Sequence, residues 1–578
     1  MILVESSPVH PGSNLGHNHS QMKKIKIWLP ILALLVMGLL MVDSVKDDTV
    51  TTDENLMVGV GDLILKEQTF KVGFEHPPLM RDLVALPLLF MNLEPASHFI
   101  DNVVRQNVSD FAFYFGENFI YGQKNVPPEK ILLAARVPAI LLTLFLGYLL
   151  FSFCSKFYDS KTAFLALAFF ISSPFFLAHG RLTTMDVPSA FFVLLCLWTL
   201  IRLLNTMTWK NAGLLGLTLA GALLTKHSMT TLLPFLIVAY FVHGFLFERA
   251  LKKYGQNFLV VFAVSLTTVY LFYLYHLWNY PMSEQIADMK QTLQSTRSSI
   301  AAQMNWIVQL AHWPITRPLA HYFYGLFWQL LRPGAFGYFM GEGSMTSWLT
   351  YYPVGFFAKN PLPFLILFLA ASGLAAKWLW AQTKTTALTS RSWLQQHFVD
   401  VLLLSWVLYF AFVLIFLNSG NTGSRYLIPL LPAVFILVSR TLTRAMNLLL
   451  KKILPVAGWI LAALLVLQFS LVWGSHPSYL SFFSGWIGSA ENGSRYLVDT
   501  DTEWGQDIRR LGQWVEKQGI EKISVGIGID YVRDNRTSRF IIGNRVYQHY
   551  LGDRFVAYLP NAPASGWLAV PARLLCWG

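Results

Sequence analysis

The stretch Lys23–Val42, KKIKIWLPILALLVMGLLMV, decides how the whole chain is read. Three lysines, Lys23, Lys24 and Lys26, precede the apolar run Ile27 to Val42, an order shared by signal peptides and first membrane helices. No small-residue cleavage site follows and many further apolar runs do, so the stretch reads as a retained helix with its N-terminus in the cytoplasm. Upstream, His10, His17 and His19 sit among Gly, Ser and Asn, a context that favours a disordered tail over a metal-binding His tract.

Working outward, 54% of the 578 residues are hydrophobic and only 13% charged, far from a soluble domain. Mean hydropathy is +0.46. Segments of the roughly 17 to 25 residues that cross a bilayer fall near 131–153, 162–178, 187–204, 212–225, 229–247, 256–277, 361–381, 399–418, 425–440 and 453–473. With Ile27–Val42 they make about eleven spans. The gaps this count puts in the cytoplasm hold Lys156 and Lys161; Arg202 and Lys210; Arg249, Lys252 and Lys253; Lys377, Lys384 and Arg391; and Arg440, Arg444, Lys451 and Lys452. That is the positive-inside pattern. It accounts for the net charge of +12 without a nucleic-acid partner. Cys154, Cys196 and Cys576 lie far apart and support neither a disulfide framework nor a metal cluster.

An odd number of spans places 43–130, 278–360 and 475–578 outside, together with the C-terminus. The expected organisation is therefore a cytoplasmic tail over 1–26, a membrane domain over 27–474 and an outer α/β domain over 475–578. Within the first outer loop, Leu56-Val60-Leu63-Ile64 and Phe111-Phe115-Phe119 recur at helical spacing, which predicts amphipathic helices on the outer membrane face. The short Gly/Ala-rich span around Gly213 to Leu224 suits packing inside the bundle. Beyond Gly474 the apolar density falls. Asp507–Gln518 reads as an amphipathic helix, with Ile523–Ile529 and Trp567–Val570 as strands of a small soluble domain.

Four polar clusters meet on the outer side of this topology. Asp53-Glu54 places carboxylates where one could deprotonate an acceptor, although acidic pairs in loops are often only solvated charge. In Glu75-His76-Pro77-Pro78, the prolines stiffen the backbone. His76 and Arg81 could meet a phosphate and Glu75 could orient them or bind a metal; a rigid loop-to-helix junction is the alternative. The short His179–Pro188 loop holds His179, Arg181 and Asp186, and Asp186 could cap the following helix. Finally, Lys226 and Arg425 stand on the side where positive-inside does not expect cations. An anionic lipid head group explains them through charge-assisted hydrogen bonds, and snorkelling at the interface is the plainer reading.

With these residues in view, the chain resembles the glycosyltransferase C superfamily. The nearest likeness is to bacterial family 39 members akin to the protein O-mannosyltransferases and the aminoarabinose transferase of lipid A. The likeness runs over nearly the whole chain. It is carried by Asp53-Glu54, by Phe74-Glu75-His76-Pro77-Pro78-Leu79, by Ser173-Pro174 through Asp186, by Leu224-Thr225-Lys226 and by Arg425-Tyr426-Leu427-Ile428-Pro429. Asp501-Thr502-Glu503-Trp504-Gly505-Gln506-Asp507 looks like an Asp-Trp-Gly-Gln-Asp element of bacterial members, with Glu503 in place of the first Asp. A structural role for Trp504 and Asp507 and a role in acceptor binding both remain open. Leu56 and Met57 stand where many relatives carry a His. The chain stops at Gly578 soon after a predicted strand, so the outer domain is expected to be shortened.

The resemblance implies a multi-pass enzyme of the cytoplasmic (inner) membrane. It would transfer a sugar from a polyprenyl-phosphate donor to a lipid, protein or glycan acceptor outside the cytoplasm, with inversion. On that reading Asp53 is the base, supported by Glu54 and Asp186, and Lys226, Arg425, Arg181 and His76 hold the leaving phosphate. A divalent metal ion on Glu75 and His76 is a weaker expectation, and no cofactor is required. The rival class is a transporter or flippase of an anionic polyprenyl lipid. It would want ionisable groups near the bilayer midplane and paired repeats, and this chain has neither. A receptor or scaffold with an outer sensor domain would explain the last hundred or so residues but not the first loop.

Overall fold

The computed structural model describes residues 15–100, 108–248, 251–294, 298–331, 334, 337–384, 391–418, 420–449, 453–526, 531–533, 536–538, 543–558 and 566–572. His10, Arg249, Lys451, Lys452, Cys576 and the Ile527–Ile529 half of one expected strand lie outside them.

The chain is a polytopic helical membrane protein. Among the described residues, nine helices are long and apolar enough to span a bilayer: Trp28–Val45, Pro128–Phe157, Asp186–Asn205, His227–Phe247, Lys252–His276, Leu362–Thr383, Phe398–Leu417, Ser424–Leu448 and Leu454–Trp473. The two remaining expected spans are shorter. One is the helix Ser160–Ile171, and the other is Trp209–Thr225. The first stops at Ser172-Ser173 because Pro174 has no amide hydrogen to continue the ladder, and a second short helix, Pro174–His179, resumes beyond it. The first helix already begins at Leu15, inside the polar stretch expected to be a disordered tail.

Chain direction gathers the polar clusters at one end of the bundle. Asp186 opens its helix, Thr225 closes the next, and Ser424 opens a later one. The opposite end carries basic residues. Arg202 lies in the last turn of Asp186–Asn205 and bonds Asn211, and Lys161 reaches Asn447 across the bundle.

The helices expected in the first outer loop form as Thr52–Lys66 and Val108–Gly122. The first does not lie on a membrane face: every residue from Glu54 to Ile64 is buried. Its backbone and that of its partner meet where Gly59 and Gly116 cross, and a Cβ on Gly116 would fall 1.7 Å from the Asn55 carbonyl oxygen. Two helices this close form an interior, since each supplies the other's cover.

The C-terminal part supplies the rest of that interior. Ile508, Val515, Ile523, Val525, Val546 and Leu551 share one core with Leu56, Val60, Phe115 and Phe119. The expected amphipathic helix spans Ile508–Lys517. The central strand Ile523–Gly526 pairs in parallel with Phe555–Tyr558 on one side and Trp567–Ala569 on the other. A smaller core formed by Met289, Met304, Ile307 and Tyr324 from the 278–331 region closes over Phe74 and so backs the Glu75-His76 turn.

Candidate active site

Asp53 stands in the first turn of the Thr52–Lys66 helix, where a carboxylate also complements the helix dipole. Its Oδ2 accepts a hydrogen bond from Nη1 of Arg425 at 2.7 Å. The same Arg425 nitrogen lies 3.6 Å from Oδ2 of Asp186, whose Oδ1 takes the Nζ of Lys226 at 2.6 Å. Two carboxylates and two cations from four separate segments thus form one continuous cluster. Asp186 is the first helical residue, and its carboxylate meets Lys226 and Arg425. The Lys226 ammonium also sits 4.3 Å from the centre of the Tyr426 ring. Asp186 and Arg425 have side chains only 2% and 9% exposed, against 15% for Lys226 and 21% for Asp53, so Asp53 is the carboxylate an incoming molecule reaches first.

Glu54, one residue on, turns away from that cluster. Its carboxylate is fully buried and grips Arg136 through both oxygens, at 2.8 and 2.7 Å. It also accepts from the backbone N–H groups of Thr51 and Thr183. Burial alone would raise this carboxyl, but Arg136 and those N–H groups outweigh it and hold the group below its ordinary value. Glu54, expected to support catalysis, is thus not brought into the cluster by the structure; it knits the first loop to the second. Arg136 completes the knot by donating to the carbonyls of Val45, Asp48 and Thr49.

Arg181 is likewise not brought into the cluster. It is buried, pairs with Asp48 at 2.7 Å and donates to the Ser44 carbonyl, so it is committed inside the protein instead of facing a phosphate. Asp48 in turn takes Arg510, which also holds Asp507, so the C-terminal helix is tied to the first loop by alternating charges.

The Glu75-His76 turn is held from below. Arg81 donates to the carbonyls of Gly73 and His76, and Gln329 to that of Glu75. Glu75 is buried and His76 half-buried. The turn approaches the cluster through Gly325, where an added Cβ would lie 2.2 Å from the Phe74 carbonyl and 2.8 Å from Nε2 of His227, the residue after Lys226. Glu75 and His76 gain no third ligand: the described residues contain no group of three or more His, Cys, Asp or Glu side chains that could hold a metal. At the centre, Asp53 and Asp186 face Arg425 and Lys226.

Sequence reasoning left Trp504 undecided, named Asp501 only as part of the same run, and passed over Asp48, Arg136 and Lys359. The Trp504 ring lies 4.4 Å from the Arg425 guanidinium carbon and meets the ring edge of His179. Burial pushes His179 down to about 3, so that ring is a neutral imidazole. Asp501 accepts from the Ser424 backbone N–H and hydroxyl, and Lys359 donates to its carbonyl. The aromatic residue in a polar run was the signal available in the sequence, but its partner lies in a distant segment.

An apolar groove lies near the Lys226 end of the cluster. Its volume is about 270 Å³, and it is lined by Leu219, Leu223, Leu233 and Leu266 of the membrane bundle and by Tyr322 and Phe323 of the Arg317–Leu331 helix, among others. Leu223 lies one turn before Lys226, and Tyr322 packs 5.3 Å from the His227 ring.

Residues 130–273, which include Asp186 and Lys226, match the family described as dolichyl-phosphate-mannose-protein mannosyltransferase. Over residues 130–273, this match bears out the resemblance to the glycosyltransferase C superfamily drawn from the motifs. Among solved structures, similarity is found to ArnT from Cupriavidus metallidurans bound to undecaprenyl phosphate, at 12% identity and a TM-score of 0.45, covering 93% of this chain and 86% of that one. The archaeal oligosaccharyltransferase AglB from Archaeoglobus fulgidus, in complex with an inhibitory peptide and a dolichol-phosphate, is similar at 12% identity and a TM-score of 0.45, over 92% of this chain and 65% of that one. No curated protein sequence matches the chain.

Proposed function

We propose, from the premise that residues 130–273 carry a glycosyltransferase family segment, that this protein transfers a sugar from a polyprenyl-phosphate donor to an acceptor at the outer face of the cytoplasmic membrane, inverting the anomeric carbon. The observation that carries the proposal is the Asp53–Arg425–Asp186–Lys226 cluster at one end of the bundle, beside an apolar groove. The basic residues at the opposite end support an outward-facing site.

The parts divide the chemistry. The isoprenoid tail lies in the groove, as its apolar walls require. The phosphodiester meets Lys226 and Arg425 through charge-assisted hydrogen bonds. As Arg425 turns to the phosphate it releases Asp53, which takes the proton from the acceptor hydroxyl or amine. The acceptor's electron pair forms the new bond to the anomeric carbon while the bond to the phosphate oxygen breaks, and the polyprenyl phosphate leaves with that pair. A single displacement inverts the centre, and the two cations stabilise charge where it accumulates. Asp186 keeps Lys226 and Arg425 aligned throughout, and His76 lines the donor side of the turn. The acceptor class is a lipid, protein or glycan of the cell envelope.

The test uses the full chain in vesicles with synthetic undecaprenyl-phosphate hexoses and pentoses and an envelope extract as acceptor pool. Asp53→Asn is expected to lower release of undecaprenyl phosphate by roughly 10²- to 10⁴-fold, the usual share of a general base. Undiminished release would overturn the assignment.

A further inference from the structure

We propose that Trp504 is a positioning residue for phosphate recognition, its indole face holding the Arg425 guanidinium in the plane that presents its N–H groups to the donor. This rests on the reading of Arg425 as a phosphate ligand, and deepens it.

Arg425 is nearly buried, yet its hydrogen bonding is one-sided. Nη1 serves Asp53 and approaches Asp186, while Nε has no hydrogen-bond partner among the described residues. Two contacts at one nitrogen do not set the orientation of a planar group. The Trp504 ring, 4.4 Å from the guanidinium carbon, supplies the missing constraint. A stacked contact uses the face of the guanidinium and leaves the N–H edges free for an anion. It therefore persists when a phosphate displaces Asp53, which a carboxylate tether does not.

Trp504 is itself fixed at several points. It is buried, its carbonyl accepts from Thr52, the neighbour of Asp53, and its N–H donates to the Gln506 side chain. The run that carries it is also clamped to the backbone just before Arg425. Asp501 takes the N–H of Ser424 at 2.9 Å, and Gly423, at φ +131°, lies so close to Thr500 that an added Cβ would come within 1.8 Å of its hydroxyl. The Asp501–Asp507 run is therefore built into the centre of the site, between the segments that bear Asp53 and Arg425.

The experiment measures binding of undecaprenyl phosphate and of undecaprenol by the purified full chain, so that the ratio reports phosphate recognition alone. Trp504→Leu is expected to weaken undecaprenyl phosphate roughly 3- to 30-fold with undecaprenol binding unchanged, and Trp504→Phe to restore most of the preference. Arg425→Lys, which keeps the charge and loses the stackable plane, is expected to show the same loss, with Trp504→Leu adding nothing in that background. A wild-type preference in Trp504→Leu, or an equal loss of both ligands, overturns the proposal. If Trp504→Leu does not fold, a wild-type preference in Arg425→Lys overturns it instead. Arg425→Met separates the two readings: if it keeps the phosphate preference the site assignment itself fails, whereas its loss alongside an unaffected Trp504→Leu rejects only the role of Trp504.

Discussion

Arg425 and Asp53 stand 372 positions apart in sequence and meet at 2.7 Å, one cation shared between a reachable carboxylate and a buried one. In the proposed reaction this contact is exchanged for the donor phosphate. Asp53→Asn removes both the competitor for Arg425 and a negative charge near the phosphate. Affinity for undecaprenyl phosphate should therefore rise, by roughly 3- to 10-fold for about 1 kcal/mol of like-charge interaction, while turnover falls. Titration and turnover on one preparation check the opposite signs.

Lys226 is the more open cation of the cluster. Lys226→Met removes one charge-assisted hydrogen bond, worth about 1.5 to 3 kcal/mol, so undecaprenyl phosphate should bind roughly 10- to 100-fold more weakly. The same titration reads the change.

The pair of Glu54 and Arg136 should behave as structure. Arg136→Met leaves a fully buried carboxylate without its partner, a change that typically costs about 3 to 5 kcal/mol. The Arg136→Met/Glu54→Leu double variant removes the orphaned charge and should recover much of that loss. Unfolding of the three proteins in the same detergent tests it.

Gly116 is the closest approach between the Asp53 helix and its neighbour. Gly116→Ala puts a methyl group 1.7 Å from the Asn55 oxygen, so the helices must part, at about 1 to 3 kcal/mol or more. Activity should fall with stability because Asp53 moves with its helix. Gly213→Ala meets nothing within 4 Å and serves as the control.

Glu117 ties the first outer loop to the C-terminal region by accepting from the backbone N–H groups of Gly543 and Arg545. Burial pushes its carboxyl up from 4.5 to about 7. Between those values the folded chain keeps a proton that the unfolded chain releases, so this group's contribution to stability falls as pH rises through that window and is smallest above it. Glu117→Gln should flatten the slope. Thermal unfolding from pH 4.5 to 7.5 measures it.

Much of this was legible in the sequence. Runs of about twenty apolar residues have few uses besides crossing a bilayer, and the basic gaps ordered them, so Asp53, Asp186, Lys226 and Arg425 could be put on one side by parity. The strands at Ile523 and Trp567 and the helix near Ile508 also lie where the periodicity indicated.

Parity places residues on a side; it says nothing of which way they point. Asp53 and Glu54 are adjacent and chemically alike, yet about 100° of helical rotation sends one into the site and the other into a buried pair with Arg136. Arg181 shares a loop with Asp186 but turns to Asp48. Trp504 carried no sign of its partner, because Arg425 arrives from another segment. Residue type, apolar run length and charge order, all local properties of the chain, determined the membrane architecture and the candidate residues. Which carboxylate meets which cation is set by packing between distant segments, and only the tertiary structure decided it.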